Sequence, residues 1–341
     1  MLSFKIPKTQ AESLRNHLPI DYSYKPKSIG DYVYFAVDLN SDYQSVVEKF
    51  GIEVEDVDLV KAEGKPSKLR DILRKYGIDR NISSYEIVGD IAVIEIPEDL
   101  IGKKEIIGRA LLEMLPRVKT VLWKKSGMKG EWRIREVEVI AGENKTETVY
   151  SENGCRFKVD LSKMYYSTRL STERRRIAEL VRQSGGKENV LVPFAGYGPF
   201  AITIGKYNPN SKVVGIEINP VAAKYFEENI RLNKLNNVRA ICGDATEVIP
   251  NEFPGWADRI VMPLPKDTLE LLPHVIVGGK DQVVLHVYSF SPSEDPYSPV
   301  IGRITSQLGD RYTVRVLNQR IVRPYSPTTV QVVLDVDVRR V

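Results

Sequence analysis

From residue 189 to residue 262, short unbroken apolar runs alternate with stretches of helical periodicity. The runs inside "NVLVPFAGYG", "KVVGIEINP", "VRAICGDATEV" and "ADRIVMPLP" read as strands buried on both faces. Between them, "FAITIGKYN" and "VAAKYFEENIRLNKL" carry apolar residues three and four apart and read as helices. A helix also precedes the first strand: "STERRRIAELVRQSG" has Ser171 or Thr172 as its cap and Gly185 as its stop. Strands alternating with helices predict a doubly wound parallel sheet. Three later runs, "DQVVLHVYSF", "RYTVRVLNQRIVRPYS" and "TTVQVVLDVDVRR", are expected to complete one edge in antiparallel fashion.

The first half is patterned differently. Residues 1–60 mix short alternating stretches with helical patches and read as a small α/β module. "KAEGKPSK" is charged and carries Gly and Pro, so residues 61–74 are taken as a linker that ends in the amphipathic start of "LRDILRKYGI". "SYEIVGDIAVIEIPEDL" reads as two strands around a Gly-Asp turn, and "KKEIIGRALLEMLPRV" as a helix with an apolar stripe. Further alternating segments make residues 75–165 an α+β middle domain, which leaves 166–341 for the doubly wound domain.

At 341 residues the chain is long enough for two or three domains, and 42% hydrophobic with 28% charged residues is a globular composition. No apolar run reaches membrane-spanning length, which predicts a cytoplasmic protein with no membrane partner. Cys155 and Cys242 stand far apart, the histidines (His17, His274, His286) are isolated, and no metal site is expected. Net charge is only +4 but uneven: residues 102–135 hold ten Lys/Arg against three acids, and residues 161–187 seven against two. Clustered positive charge on both sides of a candidate site suggests a polyanionic partner.

Four signals fall where successive strands end, at the edge where open α/β sheets bind ligands. Phe194-Ala195-Gly196-Tyr197-Gly198-Pro199-Phe200 is a glycine loop, but its spacing matches neither the dinucleotide nor the phosphate-loop fingerprint. Glu217, about 20 residues after the glycines, is placed to accept from both ribose hydroxyls of a nucleoside, with Ile218 beside it. Asp244, followed by Ala245, is placed for an adenine amino group. Pro263-Leu-Pro265 ends the fourth strand abruptly, because proline cannot donate to a sheet ladder. Together the first three describe an adenosyl pocket without a phosphate anchor, which suits S-adenosylmethionine better than a dinucleotide.

Over residues 75 to the C-terminus the sequence resembles the archaeal and eukaryotic tRNA (guanine-37 N1) methyltransferases. The resemblance rests on "WRIREVEVIAGEN", "GCRFKVDLSKMYYSTRLSTERRRIAELV", "VPFAGYGPFAI" and "VRPYSPTTVQVVLDV". It implies a C-terminal Rossmann-like class I S-adenosylmethionine methyltransferase domain with two smaller α+β domains before it. It also implies tRNA as partner, gripped at anticodon loop and body, and a monomeric enzyme. Glu173 resembles the family's general base and Arg133 the arginine that stabilises guanine O6, with Arg135 on the same strand face. Arg174 resembles the basic residue near the donor's carboxylate. Tyr165 and Arg169 resemble residues on the base and phosphate side, although Tyr165 and Tyr166 cannot be told apart by sequence. "RPYSP" (323–327) is a candidate brace for the catalytic face. Pro263 stands where the family usually has Asn, which suggests the subclass that also methylates a tricyclic wyosine intermediate. The rival readings are aminocarboxypropyl transfer from the same donor, a silent tRNA-binding protein, and a small-molecule methyltransferase.

Overall fold

A computed structural model describes all residues except 16, 22, 40, 62–68, 81, 83, 130–133 and 267, and the side chains at 126–129 and 134. The chain divides into two units, Met1–Asn81 and Ile82–Val341. In the first, β1 (Leu2–Pro7), β2 (Lys27–Ile29), β3 (Tyr32–Ala36) and β4 (Glu53–Asp56) form a sheet of order β2-β3-β1-β4. Phe4, Ile6 and Phe35 alternate onto one face, where α1 (Ala11–Arg15) and α2 (Tyr43–Phe50) cover them. Asp42 caps α2 and Gly51, at φ 62°, ends it. The helix α3 (Leu69–Lys75) also falls in this unit, so the unit runs past the stretch expected as a linker, of which 62–68 lie outside the described residues.

The second unit opens with β5 (Tyr85–Val88) and β6 (Ile91–Ile94), antiparallel around Gly89-Asp90 as their alternation predicts. With β7 (Thr120–Lys129) and β8 (Ile134–Gly142) they make a four-stranded sheet, packed by α4 (Lys104–Met114) through Ile107, Ala110 and Leu111. The basic run maps to this sheet, and much of it is answered locally. Lys104 and Lys125 pair with Glu138, Lys124 with Glu95, and Arg135 with Glu86. Residues 82–146 hold eleven Lys/Arg and eleven Asp/Glu, so the surplus is a feature of the run and not of the whole sheet.

A hairpin of β9 (Glu147–Glu152) and β10 (Cys155–Asp160) precedes the doubly wound sheet. Next come α5 (Ser171–Gln183), β11 (Asn189–Pro193), α6 (Pro199–Tyr207), β12 (Lys212–Glu217), α7 (Pro220–Leu232), β13 (Val238–Cys242), α8 (Ala245–Glu252) and β14 (Ala257–Met262). The chain closes with α9 (Thr268–Val275), β15 (Gly279–Pro292), α10 (Ser298–Leu308), β16 (Tyr312–Ser326) and β17 (Thr329–Arg340). The seven strands lie in the order β13-β12-β11-β14-β15-β17-β16. The strand 279–292, expected to be antiparallel, pairs parallel with β14, because α9 carries the chain back to the starting edge before it begins. Only β17 and β16 run against their neighbours. One apolar cluster fills each face of the sheet: Phe200, Phe226 and Tyr288 belong to one, Ile260, Leu285 and Leu334 to the other. Connections leave β11 and β14 in opposite directions, so a crevice opens between their carboxyl ends. Among the described residues no helix is long and apolar enough to cross a membrane.

Candidate active site

That crevice is a pocket of about 360 Å³. It gathers eleven of the twelve residues expected to hold a donor: Arg174, Phe194, Ala195, Gly196, Tyr197, Phe200, Glu217, Ile218, Asp244, Ala245 and Pro263. Pro265 and Tyr165, expected on the substrate side, line it too. Most converge because they sit at or just beyond the carboxyl tip of a strand of one parallel sheet; Arg174 comes from α5 and Tyr165 from the segment before it.

The glycine loop turns sharply after β11. Phe194 has φ 60°, a left-handed conformation that costs a non-glycine residue about 1–2 kcal/mol, and the Ala195 N–H is tied to the Ile216 carbonyl at 2.9 Å. Gly196 follows at φ 59°, with open space where a Cβ would stand. Its N–H donates to Glu217 Oε2 at 2.7 Å, and the Asn219 N–H donates to Oε1 at 2.8 Å. Both oxygens are thus fixed by backbone donors, to which the Ile218 N–H adds. Burial pushes the Glu217 carboxyl up, while these backbone donors pull it back. Gly198, the twelfth expected residue, does not line the pocket. At φ 90° its absent Cβ would lie 2.0 Å from Phe226 Cδ2, so this glycine seats the loop on α7. Gly198→Ala is expected to lower unfolding stability by about 2–4 kcal/mol, and Gly196→Ala by only about 1–2 kcal/mol, in chemical denaturation. Equal losses would contradict the packing argument.

Asp244 caps α8: its Oδ1 accepts from the Thr246 N–H at 2.8 Å and from Thr246 Oγ1 at 2.7 Å. Oδ2 has no partner among the described residues. Across the pocket, the Pro263-Leu264-Pro265 tip forms a wall, and the Pro265 carbonyl accepts from the Phe290 N–H at 3.3 Å. Arg174 is buried (2% exposed). Its Nη1 clasps both oxygens of Glu152 at 2.6–2.7 Å, and its Nη2 donates to the Ser167 carbonyl. Its Nε is buried with no partner, although the residue lines the pocket. Tyr197 turns away from the pocket mouth to share a 2.8 Å hydroxyl bond with Tyr150 of β9.

Glu173 does not line the pocket. Its carboxylate, 3% exposed, takes Arg176 Nε and the Tyr288 hydroxyl on Oε2, each at 2.9 Å, and Arg320 Nη1 on Oε1 at 3.3 Å. Behind it a buried chain of charge continues. Arg176 clamps Asp335 at 2.5 and 3.2 Å, Asp335 accepts from His286 Nδ1 at 2.5 Å, and His286 Nε2 faces Arg259 Nη1 at 2.6 Å. Arg259 in turn pairs with Glu188. Tyr165 and Tyr166 separate clearly. Tyr165 is 37% exposed at the pocket, whereas Tyr166 is buried and donates to Glu86 at 3.0 Å. Arg135 lies over the Tyr166 ring and pairs with Glu86, away from the pocket. Arg169 is exposed on the loop before α5 and does not line it either. Arg133 lies outside the described residues.

Residues 148–317 match the TRM5/TYW2 methyltransferase domain, and residues 67–146 match the TYW2 N-terminal domain. The tRNA (guanine(37)-N(1))-methyltransferase Trm5b of Pyrococcus abyssi is 39% identical, over 98% of each chain. The chain belongs to the TRM5/TYW2 methyltransferase family. The crystal structure of Trm5b from Pyrococcus abyssi superimposes with a TM-score of 0.77 at 38% identity, covering 99% of both chains. A complex of aTrm5 with tRNALeu gives 0.73 at 32% identity, again over 99% of both. TYW2 of Pyrococcus horikoshii in complex with MeSAdo gives 0.70 at 29% identity and spans 82% of this chain and all of its own.

Within this family member, sequence reasoning did not single out Asn219, Thr246 or Leu264, although each lines the pocket. Asn219 had a local signal: Asn before Pro220 is a helix cap, and its Oδ1 accepts from the Val221 N–H at 2.9 Å. Nothing local points to Tyr288 or Arg320 as partners of Glu173, or to Asp335 as partner of Arg176, since they stand more than a hundred residues away.

Proposed function

We propose that this chain is an S-adenosylmethionine-dependent tRNA methyltransferase that forms N1-methylguanosine at position 37, working in the cytoplasm as a monomer and without a metal. The pocket at the β11/β14 crevice carries the reading, with Glu217 held by backbone N–H groups and one Asp244 oxygen left over. Two carboxylates there would repel a pyrophosphate, so a dinucleotide fits poorly. They suit a nucleoside whose amino-acid arm bears a positive centre, and the unpartnered Arg174 Nε suits the carboxylate of that arm. The volume lies within the range of small-molecule sites.

When bound, S-adenosylmethionine supplies an electrophilic methyl group. Glu217 accepts from the ribose hydroxyls, and Asp244 Oδ2 accepts from the adenine amino group. The proline tip walls the far side. Tyr165, exposed at the mouth, stacks on the incoming purine, and Arg169, exposed on the loop before α5, meets phosphate. The target base is stacked in a folded anticodon loop, so it is flipped out to enter. Guanine N1 carries a proton at neutral pH, and Glu173 is the residue that takes it. Its carboxylate must first leave Arg176, Arg320 and Tyr288, and contacts made without substrate do not exclude a catalytic acid or base. Arg133 is assigned to O6, where negative charge builds.

Glu217→Ala is expected to weaken donor binding by about 100-fold or more in calorimetry, as two charge-assisted hydrogen bonds of about 1.5–3 kcal/mol each are lost. Unaltered affinity would end its assignment to the ribose.

A relative from Nanoarchaeum equitans is named tRNA (guanine(37)-N(1))/4-demethylwyosine(37)-methyltransferase Taw22 and is 31% identical over 71% of this chain. Pro263, in place of the asparagine usual in the resembled family, favours the same pair of activities here, because it removes a side-chain amide from the wall facing the base. Aminocarboxypropyl transfer ranks behind N1-methylation, because Trm5b of Pyrococcus abyssi is 39% identical over 98% of this chain. The aminocarboxypropyltransferase of Methanocaldococcus jannaschii matches over 98% of its own length but only 75% of this chain. The deciding experiment incubates tRNA with donor labelled on the methyl or the carboxyl carbon, followed by mass spectrometry of nucleoside 37. Methyl label in N1-methylguanosine is expected, and carboxyl label in the nucleoside would overturn the reading.

A further inference from the structure

The segment 318–329 holds two arginines and no acid, and it reaches the pocket wall through Phe290. Tyr325 is 56% exposed, and its ring sits 4.3 Å from that of Phe290 at a 41° tilt. Phe290 is the residue whose N–H holds the Pro265 carbonyl of the pocket wall. Beside the two rings, Arg323 Nε donates to Gln331 Oε1 at 2.8 Å, and Arg323 has no acidic partner among the described residues. Gln331 is 1% exposed, and its Nε2 is a buried donor with nothing to bind. Farther down the same strand, Arg320 reaches Glu173.

We propose that Tyr325 on Phe290, with Arg323 and Gln331, forms an RNA subsite next to the pocket. It takes an unpaired nucleotide flanking the modified purine, stacking its base on Tyr325 and holding its phosphate with Arg323. This rests on the tRNA reading above. A brace for the proline wall would need only Phe290; it would not need an exposed second ring or leave a buried amide donor unpaired. Exposed aromatics with adjoining guanidinium groups are the means by which proteins hold single-stranded RNA. The alternative occupant, an edge strand of a second copy, is opposed by the strand itself. β16 has an unpaired outer side, but it carries Pro324 and shifts register at 316/318, 321/323 and 324/326, which break up a continuous ladder.

The test uses the full-length protein, S-adenosylmethionine and an anticodon stem-loop RNA. Tyr325→Ala is expected to raise the KM for RNA about tenfold, within the roughly 5- to 150-fold that loss of one base stack produces, with little effect on kcat or donor affinity. Tyr325→Phe should recover most of that loss, because the ring remains. Arg323→Met should raise KM and flatten its salt dependence by about one phosphate contact. An unchanged KM in Tyr325→Ala overturns the subsite. So does a defect confined to donor affinity, which would mark a brace, or a wild-type dimer that Tyr325→Ala converts to monomer. Wild-type protein that neither binds nor methylates tRNA overturns the functional reading itself, a result distinct from all of these.

Discussion

Glu173→Gln is expected to lower kcat by about 10²- to 10⁴-fold while donor affinity stays within about twofold. Glutamine keeps the volume and can still accept from the Tyr288 hydroxyl, so packing at the start of α5 survives. It cannot take a proton. The comparison that matters is between rate and stability. If Glu173 serves only as the buried counter-charge to Arg176 and Arg320, the substitution should move the melting temperature and leave single-turnover methyl transfer nearly intact. A kcat within tenfold of wild type, measured with saturating tRNA and donor, would remove Glu173 from the chemistry.

Asp335→Ala should be the most destabilising single change in the second unit, by about 3–5 kcal/mol in denaturant unfolding. The side chain is 5% exposed and serves as acceptor for Arg176, His286 and Asn318. Removing it strands the Arg176 guanidinium, which keeps only Glu173 as a counter-charge. The same chain of charge gives stability a pH dependence of definite sign. Burial works against both ionised forms here. His286 is pushed below its ordinary value by burial and by the facing Arg259, and its geometry is that of the neutral ring, accepting at Nε2 and donating from Nδ1. Asp335 is held well below the carboxylate range: burial opposes this, but the His286 bond and Arg176 outweigh it. Both groups therefore have folded-state values under their unfolded ones. Each contributes stability above the unfolded value and loses it as pH falls, His286 from about 6.5 downward and Asp335 from about 3.9 downward. The melting temperature should fall between pH 7.5 and pH 5.5, and His286→Gln should flatten that decline. A wild-type melting temperature that is flat or rising over the same interval would refute the assignment.

The parts of the site legible in sequence are those set by short-range order. A strand, a turn and a helix cap place Phe194–Phe200, Glu217 and Asp244 at adjacent strand tips, and the spacing between them is a property of the repeat unit. Helix boundaries at Pro220 and Ala245 follow from local capping chemistry for the same reason, whereas α5 starts after Leu170 with no side-chain cap, so neither Ser171 nor Thr172 caps it as expected. What escaped depends on partners brought together by the closed sheet. The direction of β15 is set by α9, whose sequence "TLELLPHV" contains a proline and is too short to stand out by periodicity. The surroundings of Glu173 come from β15, β16 and β17, and no pattern near residue 173 encodes them. The choice between Tyr165 and Tyr166 depends on where Glu86 lies, 80 residues from Tyr166. The basic run had the opposite failing: its sum was correct, but acids on either side of it in the sequence return to it across the sheet.

The hairpin β9–β10 sets a practical limit on how this protein can be divided. Asn229 of α7 and Asn233 at its C-terminal end bond to the backbone of Lys158 and Arg156 through both the oxygen and the nitrogen of each side-chain amide, and Phe157, Val159 and Leu161 are buried in the same core as Phe226. Tyr150 reaches further, to the ring that closes the glycine loop. A fragment starting at residue 166 would leave the Oδ1 atoms of those two asparagines without their donors and open one wall of the core. An autonomous catalytic piece must therefore begin ahead of Glu147, and proteolytic cuts that spare the donor pocket should cluster upstream of that point.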